Sequence, residues 1–212
     1  ANAIVESGAG QIGTSTDPFK IDVASGSKIT ARAANGIWME EVSGDMAIGQ
    51  IYSPTVINLR SNTGNIVDFE DDLIMDVKGH NVSLFAAGTI GEQVVTAGSQ
   101  LTDAQILLKK QRALDVASVS YDNSTFDVSS SSGGAWLYGP LGESIRMTGS
   151  NLNGELDVAT GANLKAQGNF QTNGNDITLR SYEDLQLDGD GGINTNGALL
   201  RVISGENLSM NG

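Results

Sequence analysis

The chain has 212 residues, 25 acidic side chains against 12 basic ones, and a net charge of −13. Glycine fills 27 positions, aromatics make up only 5% and cysteine is absent, so the composition implies many tight turns and a narrow aliphatic core. It excludes a nucleic-acid face, since the largest basic cluster is Lys109–Lys110–Arg112, a disulfide or thiolate site, and a transmembrane helix, since no apolar run approaches ~20 residues.

Residues Ala1–Gly10 have neither a basic start nor an apolar core, so they do not read as a signal peptide. Because the chain starts and stops inside one pattern, it reads as a segment of a longer protein. Ile4–Glu6, Phe19–Val23, Lys28–Ala33 and Ile37–Glu40 alternate apolar with polar residues, the period-two mark of half-buried strands. That alternation points Ile21, Val23 and Ile29 inward and Lys20, Asp22 and Lys28 outward. Asp17–Pro18 ends the loop before one such strand. After a turn at Ser43–Asp45, Met46–Ile48 and Gln50–Tyr52 read as short strands. Val56–Arg60, Gly64–Asp68, Leu73–Val77 and Val82–Ala86 then start about nine residues apart, a spacing typical of repetitive all-β folds.

Gln93–Arg112 breaks the rhythm. Thr102–Asp103–Ala104–Gln105 has capping-box spacing, and Ile106–Leu108 with Lys109, Lys110 and Arg112 predicts one short helix, positive at its C-terminal end. This insert is the expected binding face. Strands resume at Ala113–Val119, Thr125–Val128, Gly134–Tyr138, Ser144–Thr148, Glu155–Val158, Asn163–Ala166, Asp176–Arg180, Asp184–Leu187, Ala198–Ile203 and Asn207–Ser209. Ser129–Gly134 reads as a corner loop rather than a linker. The organisation is therefore a single domain over 1–212 with an insert at about 93–112.

An internal repeat underlies these strands. AGQIG at Ala9–Gly13 returns as AGTIG at Ala87–Gly91, and FKIDVAS at Phe19–Ser25 returns as RALDVAS at Arg112–Ser118. GIWME at Gly36–Glu40 returns as GAWLY at Gly134–Tyr138, which puts the two tryptophans, Trp38 and Trp136, in matching places. Asn-Gly and Asp-Gly pairs occur at Asn35–Gly36, Asn153–Gly154, Asn173–Gly174, Asn196–Gly197 and Asp188–Gly189. They suit hairpins as well as solenoid corners. Repetition of whole multi-strand units favours a stacked solenoid.

Chemistry-bearing residues are sparse. Asp68, Glu70, Asp71 and Asp72 place four carboxylates in five residues, a set able to bind Ca²⁺ or to supply an acid/base pair for glycan cleavage; as a plain reading they form a solvated corner. Asp188–Gly192, with Asp188 and Asp190, matches part of a calcium-binding β-roll repeat but occurs once. His80, the lone histidine, sits between Gly79 and Asn81 and reads as a turn residue without a partner nucleophile. Trp38, Trp136, Tyr52, Tyr138 and Tyr182 would stack on sugars if outward, but the repeat positions of the tryptophans suggest a structural role. Gly8–Gly13 imitates a dinucleotide loop, yet no strand–helix unit follows, and Ser131 and Ser132 lack a nucleophile elbow. No catalytic, metal or cofactor site is assigned, and no enzyme activity is expected.

The run GxIGTxxDPFxIDV, with GIWMEE, GDMAIGxI and VINLRxxxGNIVD, resembles the repeat region of filamentous haemagglutinin-like large exoproteins. These are bacterial surface adhesins exported by two-partner secretion. The resemblance is strongest over Ala9–Asp68 and recurs over Ala87–Leu164. It implies an all-β, right-handed parallel β-helix of three-sided rungs of ~20 residues, about ten in this chain, with one short helical excursion. It also implies a secreted or cell-surface stalk or adhesive segment that passes an outer-membrane pore partner and meets host-cell or matrix glycans and proteins. Two alternatives share the fold: a β-helix polysaccharide lyase or glycoside hydrolase, and the stick of a contact-dependent toxin-delivery protein.

Overall fold

A computed structural model describes residues 2–93, 110–189 and 192–211. Its strands follow one another around a solenoid of about nine parallel turns. Strands β1 (Ala3–Ser7) and β2 (Phe19–Ile21) make the first turn, and β3 (Ile29–Ala33) and β4 (Ile37–Glu41) the second. β5 (Met46–Ser61) wraps the third by itself, and β6 (Ile66–Asp68) and β7 (Val77–Ala86) form the fourth. The next three pairs are β8 (Leu114–Ser118) with β9 (Thr125–Ser130), β10 (Ala135–Leu141) with β11 (Ile145–Asn151), and β12 (Leu156–Gly161) with β13 (Leu164–Gln171). β14 (Ile177–Ser181), β15 (Leu185–Asp188) and β16 (Ile193–Asn194) precede the final β17 (Leu200–Ser204) and β18 (Leu208–Asn211). Every pairing between these strands is parallel.

The core follows from register. Because side chains alternate faces, in-register stacking places inward residues directly above one another. Ile37, Ile57, Val82 and Phe126 form one such column and Met39, Leu59, Leu84 and Val128 another. A third runs Ala135, Leu156, Ile177, Leu200. These residues are buried except Leu200, 40% exposed on the last turn. The first turn is open likewise: its inward Ala3, Val5 and Ser7 are only half-buried, whereas their partners Ile29, Ala31 and Ala33 are buried. Each interior turn thus has apolar neighbours on both sides, whereas the end turns have one.

The repeat is reproduced in atomic detail. Ile12 N–H donates to Gly36 O and Trp38 N–H to Ile12 O (3.0 and 2.8 Å), while Ile90 N–H donates to Gly134 O and Trp136 N–H to Ile90 O at the same distances. Gly13 and Gly91 both adopt positive φ, 65° and 69°. A Cβ there would lie 2.3 Å from the Trp38 carbonyl oxygen and 2.2 Å from that of Trp136. The ends of the similar heptapeptides are offset, however. Phe19 pairs with Met39, but Leu114, two positions further along the heptapeptide, pairs with the equivalent Leu137. A shift of two keeps every side chain on its face.

Several expectations are corrected. No strand covers 73–76, where Leu73 and Ile74 are exposed and only Val77 begins β7. His80 lies within β7, at the register irregularity where the strand bends, rather than in a turn. The strands read as Met46–Ile48, Gln50–Tyr52 and Val56–Arg60 are one continuous β5. Turns number about nine rather than ten because some rungs run longer, as from Ile51 to its partner Val77. Of the 93–112 insert, residues 110–112 are helical; the capping box at Thr102 lies outside the described residues. Among the described residues no helix is long and apolar enough to cross a membrane.

Gly26 also has positive φ, 76°, but a Cβ there meets nothing within 4 Å. Gly26→Ala is expected to cost only the backbone penalty of about 1–2 kcal/mol. Gly91→Ala adds a collision with backbone and is expected to cost at least twice as much by urea unfolding. Equal losses would refute the close-approach role of Gly91.

Candidate functional site

Two places are weighed as sites of chemistry, and the acidic corner after β6 is the one the sequence marks. Asp68 is 7% exposed, and both its oxygens are occupied. Oδ1 accepts the Glu70 N–H (2.8 Å) and Oδ2 the Asp72 N–H (3.0 Å), while Asp72 Oδ1 accepts the Ile74 N–H (2.6 Å). Asp71 supplies a left-handed residue, φ 50°, and Glu70 turns away to pair with Lys28. These carboxylates knit their own loop instead of converging on a shared point. Among the described residues no group of three or more His, Asp or Glu is arranged to hold a metal ion.

Two further acids, missed in the sequence, stand beside this loop. The Asp115 N–H donates to Asp76 Oδ2 (2.9 Å) and the Asp76 N–H to Asp115 O (3.0 Å), joining residues 39 apart in the chain. Both side chains are buried, and the Asp115 oxygens have no hydrogen-bond partner. Burial, reinforced by the negative Asp68 and Asp72, pushes the Asp115 carboxyl up to about 9; burial raises Asp76 well above the usual range as well. Asp115 is therefore a neutral acid at pH 7. Sealed from solvent, it cannot reach a substrate as a general acid. The alternating pattern assigns Asp115 to solvent, but every residue of β8 is buried, so alternation carries no signal there.

The remaining sequence candidates resolve individually. Asp188 Oδ2 pairs with Lys165 (2.8 Å), and its Oδ1 accepts from Gln186 (2.7 Å) and Asn211 (3.1 Å). These donors hold its carboxyl down at about 2 and occupy both oxygens, against a calcium role; Asp190 and Gly191 lie outside the described residues. His80 Nδ1 is 3.3 Å from Ser124 Oγ. Ser132 Oγ donates to the Ala87 carbonyl as a corner contact (2.7 Å), and Gly8–Gly13 leads to an isolated bridge at Ile12, without a helix. Trp136 and Tyr138 pack with Ala113 in a small cluster apart from the main core, and Lys110 lies 5.1 Å from the Tyr138 ring. Gly134 and Gly36 make room for the indoles: a Cβ at either would lie 2.7 and 2.6 Å from a ring carbon of its own tryptophan. Tyr182 is exposed.

The second place is a cleft of about 500 Å³ across β9, β11 and β13. Register sets two outward rows, Asp127–Gly149–Asn169 and Ser129–Asn151–Gln171, with Val128–Ser150–Phe170 between them facing inward. Gly149 provides no side chain, leaving a notch between Asp127 and Asn169. A bulge on β13, where Gly168 adopts φ 111°, shifts the register beside it; bulges commonly re-aim side chains at functional surfaces. Thr148 Oγ1 donates to Asp127 Oδ1 (2.9 Å) and accepts the Phe126 N–H (3.1 Å). Burial raises the Asp127 carboxyl, which the threonine hydroxyl partly offsets. The Asn151 and Gln171 amides make no hydrogen bond among the described residues, while Ser150 Oγ, on the inward side of the strand, is buried without a partner. Ser, Asn and Gln spaced at strand intervals are visible in the sequence, but only register across rungs reveals that they converge.

No family model, curated protein or solved structure matches the chain.

The Asp115 carboxyl titrates near 4 when unfolded and at about 9 when folded. Between those values the native state holds more protons, so its contribution to stability, full below pH ~4, is lost as pH rises through the folded value. Asp115→Asn, which mimics the neutral acid, is expected to raise the thermal midpoint at pH 8 and to change it little at pH 4. An equal shift at both would rule out the neutral-acid assignment.

Proposed function

We propose that the chain is a structural and adhesive segment of a large bacterial surface adhesin, exported through an outer-membrane pore partner and acting without catalysis. The observation that carries this reading is the uninterrupted parallel ladder from β1 to β18. With strands ~4.8 Å apart, about nine turns extend a chain of this length over roughly 40 Å along one axis, and the pattern adds length without altering the cross-section. Such a module holds a terminal element away from a cell while presenting long flat faces to glycans or matrix proteins. The resemblance of Ala9–Asp68 to filamentous haemagglutinin-like exoproteins supports the same reading. So does the net charge of −13, which keeps a rod soluble and resists lateral association.

Polystyrene beads coated with the chain are expected to remain on epithelial-cell or matrix-coated glass under flow several times more often than albumin-coated beads. Retention equal to albumin would overturn the adhesive part of the reading.

A further inference from the structure

We propose that the cleft over β9, β11 and β13 is a binding site for a neutral oligosaccharide, an inference that rests on the adhesive reading above and gives it a place and a ligand class. Three observations converge there. The first is capacity: an open, shallow depression of about 500 Å³, enough to seat a short chain of sugars along the surface. The second is the chemistry of the lining. The Asn151 and Gln171 amides, which make no bond among the described residues, each offer two N–H donors and a carbonyl acceptor. Asp127 offers a carboxylate whose Oδ1 is steered by Thr148. Paired donors and acceptors on planar groups suit adjacent hydroxyls, each of which both gives and takes a hydrogen bond.

The third observation is geometric. Successive rungs repeat these groups about 4.8 Å apart along the axis, and the two rows are separated by roughly 6–7 Å along the strand. The polar groups therefore form a short grid of hydrogen-bond donors and acceptors. Gly149 keeps the centre of the grid open: a Cβ there would lie 3.0 Å from Asp127 Oδ1 and 3.2 Å from the Asn169 carbonyl oxygen.

Charge selects the class. No Lys or Arg lines the cleft, Asp127 lies in it, and the chain carries −13 overall. Sulfated, sialylated or uronic-acid glycans would meet repulsion without a counter-charge. The lining has no aromatic ring for stacking, so affinity for a short oligosaccharide falls in the millimolar to high-micromolar range, adequate when many copies act together.

The test is a titration of the ¹⁵N-labelled chain with maltohexaose, cellohexaose and chitohexaose, with a heparin hexasaccharide as the anionic probe. At least one neutral probe is expected to shift the side-chain amide signals of Asn151, Asn169 and Gln171, and the heparin probe to leave them in place. The double variant Asn151→Ala/Gln171→Ala is expected to weaken that binding at least tenfold while its circular dichroism stays that of the parent chain. The inference is overturned if no neutral probe shifts these signals at millimolar concentration, if heparin shifts them equally, or if the double variant binds as the parent does. Bead retention separates the two readings. Failure at the cleft with retention intact moves adhesion elsewhere on the rod, while glycan binding without retention overturns the adhesive reading alone.

Discussion

The structure depends on one constraint: each turn must sit in register on the one before it. The inward columns reward that register with buried apolar area, at roughly 25 cal/mol per Å², but a stack of Ile and Leu tolerates sliding by two residues, as the offset between Phe19–Ser25 and Arg112–Ser118 demonstrates. The corners supply what the core leaves open. Asp45 Oδ1 accepts the N–H of Asn65 (2.7 Å), and Asn65 Oδ1 in turn accepts the N–H of Thr89 (2.7 Å). Asn163, Asp184 and Asn207 repeat the relay on later turns, at 3.0 and 3.1 Å. Each side chain reaches the backbone of the next rung, so a slip along the strand would break a directional bond even where it preserved the core.

Buried hydroxyls serve the same purpose from inside. Ser61 Oγ donates to the Gly44 carbonyl and accepts the Gly64 N–H (3.1 and 3.2 Å). Ser130 does likewise with Gly88 and Gly133, at 2.5 and 2.7 Å. A corner bends the backbone out of the sheet and orphans its polar groups, which are costly to bury unpaired. A serine satisfies one donor and one acceptor in the volume of an alanine. Glu41 stands in the same column, paired in register with Ser61, and there the backbone N–H groups of Val23 and Ser43 point at its carboxylate.

Much of this was legible in the sequence, and the misses share a cause. Period-two alternation found the strands whose outer face is open, such as β3, β4 and β9. It found β8 but misplaced Asp115, because both faces of that strand are covered, and it failed at 73–76, where an apolar run is held in a loop by Asp68 and Asp72. The abundance of asparagine pointed to left-handed corners, yet among the described residues the only asparagines with positive φ are Asn173 and Asn196. Asn65 and Asn163 act instead as acceptors between rungs, a role no single turn can display because their donors, Thr89 and Asp184, lie 24 and 21 residues away. The acidic run at Asp68–Asp72 was visible, but its partners Asp76 and Asp115 were not, because an insert separates the rungs they occupy. The Asp127–Gly149–Asn169 row has the same property: each residue is unremarkable in its own strand, and only stacking makes them neighbours.

Register of this kind separates the two faces of every strand. The inward residues are committed to the column, and the corner residues to the backbone of the adjoining turn. The outward residues are bound by neither, so a residue such as Gly149 shapes the surface without disturbing Val128, Ser150 and Phe170 beneath it. A functional surface can then be written along the axis one residue per rung, with spacing supplied by the ladder itself. The acidic corner lies at the opposite extreme. There polar groups are drawn into the fold and their hydrogen bonds are used for structure. A polar cluster on a solenoid is thus to be judged by whether its atoms are already committed to bonds that hold the fold. By that criterion the carboxylates of Asp68 and Asp188 are committed, and the amides of Asn151 and Gln171 are available.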